Sequence, residues 1–151
     1  MALSIGEAAP DFTLQTENED RITLSSLRGK KVVLYFYPKD NTPGCTKESC
    51  DFRDHYATFQ SQGTHVFGIS KDGAKSHAKF KTKYNLPFPL LADANGNVCE
   101  AYDVINPKSL FGNTFLGITR STFLIDETGV IRAIWRKVKV PGHVEQVLNE
   151  I

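Results

Sequence analysis

The stretch that most constrains this chain is residues 32–50, VVLYFYPKDNTPGCTKESC. Val32 to Tyr37 form an almost uninterrupted apolar run, which reads as a strand buried on both faces. Pro38 ends it. Thr42-Pro43 then reads as a helix start, with Thr42 as N-cap and Pro43 at the first helical position. On that register Cys45 is the third helical residue. Its backbone N–H has no helical acceptor, and its sulfur lies at the positive end of the helix dipole. A thiolate is stabilised there, so Cys45 is a candidate nucleophile.

The rest of the chain organises around that stretch. Phe12-Thr13-Leu14 and Ile22-Thr23-Leu24 alternate like two short strands about a polar turn at Glu17–Asp20. In the helix after Pro43, Phe52, Tyr56 and Phe59 share one face, and Gly63 is placed to end it. His65–Ser70 reads as a second strand, so residues 32–70 form a βαβ unit with a parallel crossover. Gly73–Asn85 is a further helix, with His77, Phe80 and Tyr84 on one side and His77 expected to pack against Phe80. Asn97–Tyr102 makes a short helix, and a long irregular segment follows. Ser121–Ile125 and Val130–Trp135 flank a hairpin turn, and Val144, Val147, Leu148 and Ile151 give a closing amphipathic helix. This order predicts an α/β domain of thioredoxin-like type, a mixed central sheet with helices on both faces. With 151 residues, no repeat and no linker, the expectation is one domain over 1–151.

Charge and cysteine usage narrow the function. Eighteen basic and seventeen acidic residues leave a net charge of +1, so nothing suggests a nucleic-acid partner. No stretch approaches the ~20 apolar residues of a membrane helix, and the N-terminus does not read as a signal peptide. The expected location is the cytoplasm. Three cysteines in a reducing compartment argue for reactivity, metal binding or packing over a disulfide framework.

Cys50 follows Cys45 by five residues. On a regular helix that spacing sets the two Cα atoms ~8.6 Å apart, whereas a disulfide needs ~4.4–6.8 Å. Cys45 falls on the buried stripe of Phe52, and Cys50 on the opposite side. If they react with one another, the first turns of the helix must unwind. Thr42 and Glu48 lie three residues to either side of Cys45, and Arg120 stands at the entry to strand 121–125, which can pass beside the strand leading to Cys45. An arginine there keeps its charge and favours the thiolate.

Pro38-x3-Thr42-x2-Cys45, with Glu48 after it and Arg120 just before STFLID, resembles the peroxiredoxin active site. The Cys-x4-Cys spacing in TPGCTKESC is similar to the peroxiredoxin Q group, also called bacterioferritin comigratory proteins. The resemblance runs from the APDF-x-L opening to the final helix. It implies a thioredoxin-like fold and reduction of hydrogen peroxide or alkyl hydroperoxides without metal or organic cofactor. By position, it makes Cys45 the peroxidatic and Cys50 the resolving cysteine. Thr42 and Arg120 would hydrogen-bond the thiolate and the peroxide oxygens, Pro38 would shield the thiolate, and Glu48 would orient Arg120. The resemblance further suggests thioredoxin as reductant, with glutaredoxin as a second candidate, and a monomer.

Three other readings compete. A thioredoxin-type oxidoreductase would want Cys-x2-Cys. A zinc module could recruit Cys45, Cys50, Cys99 and a histidine, although Cys99 has no companion nearby. A non-catalytic holdase is the third. Cys99 is expected to serve packing, and Lys71, Lys75, Lys79, Lys81 and Lys83 a solvated helix face. Leu110, Phe111, Phe115 and Leu116 are expected to cover the core, with a substrate entrance or contact surface as the alternative.

Overall fold

In the computed structural model, which describes residues 3–151, the chain runs as follows. It begins with β1 (Thr13–Thr16), β2 (Arg21–Thr23), a 3-10 turn (Leu24–Leu27), β3 (Lys31–Phe36) and α1 (Pro43–Ser61). β4 (Thr64–Ser70), α2 (Ala74–Tyr84), β5 (Leu90–Ala92) and α3 (Asn97–Ala101) come next. β6 (Ile105–Leu110), β7 (Asn113–Ile118), β8 (Ser121–Ile125), β9 (Ile131–Arg136) and α4 (His143–Asn149) complete it.

The apolar run becomes the strand that the sheet is built on. β3 lies between β4, parallel to it, and β8, antiparallel, in a seven-stranded sheet ordered β2-β1-β5-β4-β3-β8-β9. Because side chains alternate along a strand, the run feeds two cores. Val32, Leu34 and Phe36 join Phe123, Tyr102, Val98 and Cys99 on the face covered by α3 and the 3-10 turn. Val33, Tyr35 and Tyr37 join Cys45, Phe52, Phe59, Phe80, Val144 and Val147 beneath α1, α2 and α4. Both faces of the mixed sheet are therefore covered by helices, and β3–α1–β4 is the expected crossover.

Two elements exceed the sequence reading. β5 is three residues long, too short to show a period, and pairs parallel with β4 and antiparallel with β1. The segment read as irregular is a ribbon, β6 against β7, turned by Phe111 (φ 52) and Gly112 (φ 80). Two successive positive φ values make the tight turn of a two-residue hairpin, which usually announces itself as Asn-Gly or Asp-Gly. Here phenylalanine holds the first position and Pro107 interrupts β6, so the usual signals are missing. The ribbon pairs only with itself, which is where a strand tolerates proline. Its base packs on the core through Ile105 and Ile118, but the four side chains expected to cover the core do not: Leu110, Phe111, Phe115 and Leu116 are exposed, Phe111 by 93%.

Candidate active site

Strand register assembles the site. Phe36 pairs with Ser121, so Arg120 stands beside the end of β3, where the chain leaves the sheet for α1. α1 then returns Cys45 over the same place, its sulfur buried. Arg120 Nη2 lies 3.4 Å from Cys45 Sγ, and Nη1 donates to Glu48 Oε1 at 2.7 Å. One planar guanidinium thus bridges two side chains of α1 that are nearly a turn apart. Gly44 makes room for it: a Cβ there would sit 3.1 Å from Nη2. Burial opposes the charge on Arg120, but Glu48 and Cys45 together outweigh it and hold the guanidinium protonated. The first helical bond of α1 runs from Thr46 N–H to Thr42 C=O. Pro43 has no N–H, so the amides of Gly44 and Cys45 are the free donors of the helix start.

Glu48 is 0% exposed, and among the described residues its Oε2 is the one buried side-chain oxygen or nitrogen without a partner. Burial pushes its carboxyl up to about 7, and Arg120 only partly offsets that. The consequence for stability has a definite sign. A carboxyl raised in the fold binds more protons than in the unfolded chain between about 4.5 and about 7, so its contribution is complete below that window and is lost as pH rises through it. Urea unfolding at pH 5 and pH 8 should show the wild type losing on the order of a few kcal/mol relative to Glu48→Gln. Parallel pH profiles for the two proteins would show that Glu48 titrates normally.

Thr42 behaves differently from its expectation. It occupies the N-cap position, but its side chain makes no capping bond; its hydroxyl donates to Lys39 C=O at 2.9 Å. The single hydroxyl proton is thereby committed, and donation to the sulfur requires rotation about the side chain. Pro38 is exposed at the end of β3 and, having no N–H, adds no donor to the site.

The loop between Pro38 and Thr42 is held by a cluster that sequence reasoning missed. Asp40 accepts from Tyr37 Oη at 2.6 Å, Ser76 Oγ at 2.8 Å and His77 Nδ1 at 2.7 Å, while its amide donates to Asp72 Oδ2. His77 Nε2 faces Leu91 C=O at 2.9 Å. Both ring nitrogens of His77 thus face acceptors, which fixes the ring between Asp40 and β5. Burial alone would raise Asp40, but His77 foremost, with Tyr37 and Ser76, holds it below the ordinary carboxylate value. A histidine on the apolar stripe of a helix was the available signal: fully buried, it needs a polar partner. His77 was instead expected merely to pack on Phe80.

The other two cysteines lie apart. Cys50 is partly exposed on the far side of α1, and burial raises its thiol, with nearby Arg53 acting in the opposite direction. Cys99 is buried in the core on the other face of the sheet, its thiol raised by burial and by Asp93. Asp93 also accepts from the amides of Val98 and Cys99 and so supports the start of α3. The sheet therefore separates Cys99 from Cys45, contrary to what a shared zinc site would require.

The AhpC/TSA family matches residues 5–134. The chain belongs to the AhpC/TSA family. A Coxiella burnetii relative is 54% identical over 100% of both chains. Peroxiredoxin Bcp of Bacillus subtilis is 48% identical over 100% of this chain and 96% of its own. Among solved structures, a cysteine-to-serine variant of Xylella fastidiosa PrxQ superposes with a TM-score of 0.94 at 40% identity, covering 99% of this chain and 96% of that one. A Xanthomonas campestris bacterioferritin comigratory protein, studied for alkyl peroxide reduction, gives a TM-score of 0.88 at 42% identity, covering 91% and 88%. The thioredoxin-like arrangement expected from the order of elements is the fold of this family member.

Proposed function

We propose that this chain is a thiol-dependent peroxidase in which Cys45 attacks the peroxide and Cys50 resolves the product. The observation that supports it most is Arg120 touching both Cys45 Sγ and Glu48 at the buried start of α1. A fixed cation beside the sulfur favours the thiolate and can stabilise charge on the peroxide oxygens as the O–O bond lengthens. In the first step the thiolate takes the distal oxygen, Cys45 becomes a sulfenic acid, and the leaving oxygen departs with a proton as water or an alcohol. In the second, the Cys50 sulfur displaces that oxygen as water and an S–S bond forms. An external dithiol then returns both thiols.

Several features bear on substrate and partner. The ribbon β6–β7 runs directly into Arg120 and exposes apolar side chains, which suits alkyl hydroperoxides beside hydrogen peroxide. The partly exposed Cys50 sulfur is the end of the disulfide that a thioredoxin-type reductant reaches, with glutaredoxin as the alternative. A disulfide within one chain needs no second subunit, so a monomer completes the cycle. A reducing compartment such as the cytoplasm keeps the external dithiol supplied. Peroxide-dependent NADPH consumption in the presence of thioredoxin and its reductase tests the reading. Turnover with hydrogen peroxide and with an alkyl hydroperoxide is expected; no consumption with either thioredoxin or glutaredoxin would refute it.

A further inference from the structure

The α1 segment that carries the two reactive cysteines, residues 45–50, has three buried side chains: Cys45, Glu48 and Ser49. The first two are held by Arg120. Ser49 is held by something else. Its Oγ lies 2.9 Å from Tyr35 Oη, and both residues are fully buried.

Tyr35 belongs to β3, and it cannot follow the helix. Its ring stacks on Phe52 at 4.6 Å and on Tyr37 at 5.5 Å, with Phe88 against its edge. Gly68, its partner in β4, leaves space for it: a Cβ there would lie 2.7 Å from the tyrosine Oη and Cζ. The hydroxyl is thus fixed to the sheet and aimed at one residue of the segment. Burial keeps it in its neutral form.

The intact helix holds the Cys45 and Cys50 Cα atoms ~8.6 Å apart, beyond disulfide range. Ser49 lies between them and must move when they approach, so its bond to Tyr35 exists only in the closed, helical form. We propose that the Tyr35–Ser49 hydrogen bond is the latch that sets how readily this segment unwinds, making Tyr35 and Ser49 positioning residues for the resolving step. This rests on the Cys45–Cys50 reading given above. Neither residue bonds to the reacting sulfur or to Arg120, so the latch acts on resolution and leaves the peroxide step alone.

The energetics give the direction. Resolution proceeds at the rate of S–S formation multiplied by the fraction of time the segment is open. Removing one partner leaves the other as an unsatisfied buried hydroxyl in the closed form, and unwinding relieves it. Opening should therefore increase roughly 5- to 100-fold. Ser49→Ala belongs at the upper end, since Tyr35 has no other partner. Tyr35→Phe belongs at the lower end, because a helical serine can turn to the carbonyl four residues back. Replacing both hydroxyls leaves neither orphaned, so the double variant returns toward wild type. Faster resolution also shortens the life of the sulfenic acid. A second peroxide, which would donate another oxygen to form sulfinic acid and release water or alcohol, then has less time to react.

Rapid mixing with peroxide, quenching and alkylation, followed by mass spectrometry, separates the steps. Ser49→Ala and Tyr35→Phe should form the disulfide faster by that factor and need correspondingly more peroxide to reach half sulfinic acid. Their Cys45 thiol should be consumed at the wild-type rate. The double variant should fall back to within about threefold of wild type, the non-additivity of two side chains that share one bond. It is the unchanged Cys45 thiol consumption that separates a latch on resolution from a general disturbance of the site. Should Tyr35→Phe fail to fold, Ser49→Ala alone carries the comparison. Single variants that resolve at the wild-type rate, or a double variant as fast as the faster single one, would overturn the latch. Absence of a Cys45–Cys50 disulfide in the wild type would instead overturn the reading beneath it.

Discussion

Cys45→Ser is expected to remove peroxide turnover while leaving the fold intact. Serine is close to cysteine in volume and preserves the backbone of the helix start, so packing beneath α1 changes little. What disappears is the nucleophile: a hydroxyl beside Arg120 stays protonated near neutral pH, and the sulfenic acid on which the second step depends cannot form. The variant should melt within a few degrees of wild type and show no more than a few per cent of its activity in the coupled assay. Substantial residual activity would move the reacting thiol elsewhere. Cys50 would then be the one to test, since Cys99 is enclosed on the opposite face of the sheet.

Arg120→Ala is expected to slow the peroxide step on the order of 10²-fold, the usual effect of losing one fixed donor aimed at developing charge. The loss should appear as slower consumption of the Cys45 thiol, while a disulfide still forms once the sulfenic acid exists. Stability should fall too. Glu48 has Arg120 as its single side-chain partner, and without it a buried carboxyl is left with neither oxygen bonded. Arg120→Lys should recover little, because an ammonium is one point of charge and cannot span the Cys45 and Glu48 contacts as a guanidinium does. If Arg120→Ala slowed only reduction of the disulfide, its assigned role would be wrong.

Much of this architecture is written locally in the chain. Val32–Tyr37 could be read as a doubly buried strand because both of its faces are apolar, and its two cores are those two faces. Thr42-Pro43 announces the helix because proline fits only the first turn, and that register places Cys45 among the free amides. Arg120 could be tied to Cys45 because it precedes a strand able to pair with β3. Features that depend on tertiary context were not readable. The β6–β7 ribbon has a phenylalanine where its turn prefers asparagine, so its pairing shows only in three dimensions. The Asp40–His77 pair joins residues 37 positions apart. Thr42 looks like a capping residue by type, yet its side-chain oxygen accepts no helix amide and its hydroxyl turns to donate to the Lys39 carbonyl. Glu48 could be linked to Arg120 through the resemblance, but only the packing of α1 on the sheet reveals a carboxyl raised by burial.

The account turns on which sulfurs react. Reduced protein treated with one equivalent of peroxide, alkylated, digested and mapped by mass spectrometry answers that directly. The prediction is one disulfide, between Cys45 and Cys50, with loss of two hydrogens and with Cys99 recovered as a free thiol once the chain is unfolded for alkylation. In Cys50→Ser under excess peroxide, Cys45 should gain oxygens as sulfinic and sulfonic acid. A disulfide that includes Cys99, or peroxide consumed while Cys45 remains an unmodified thiol, would contradict it.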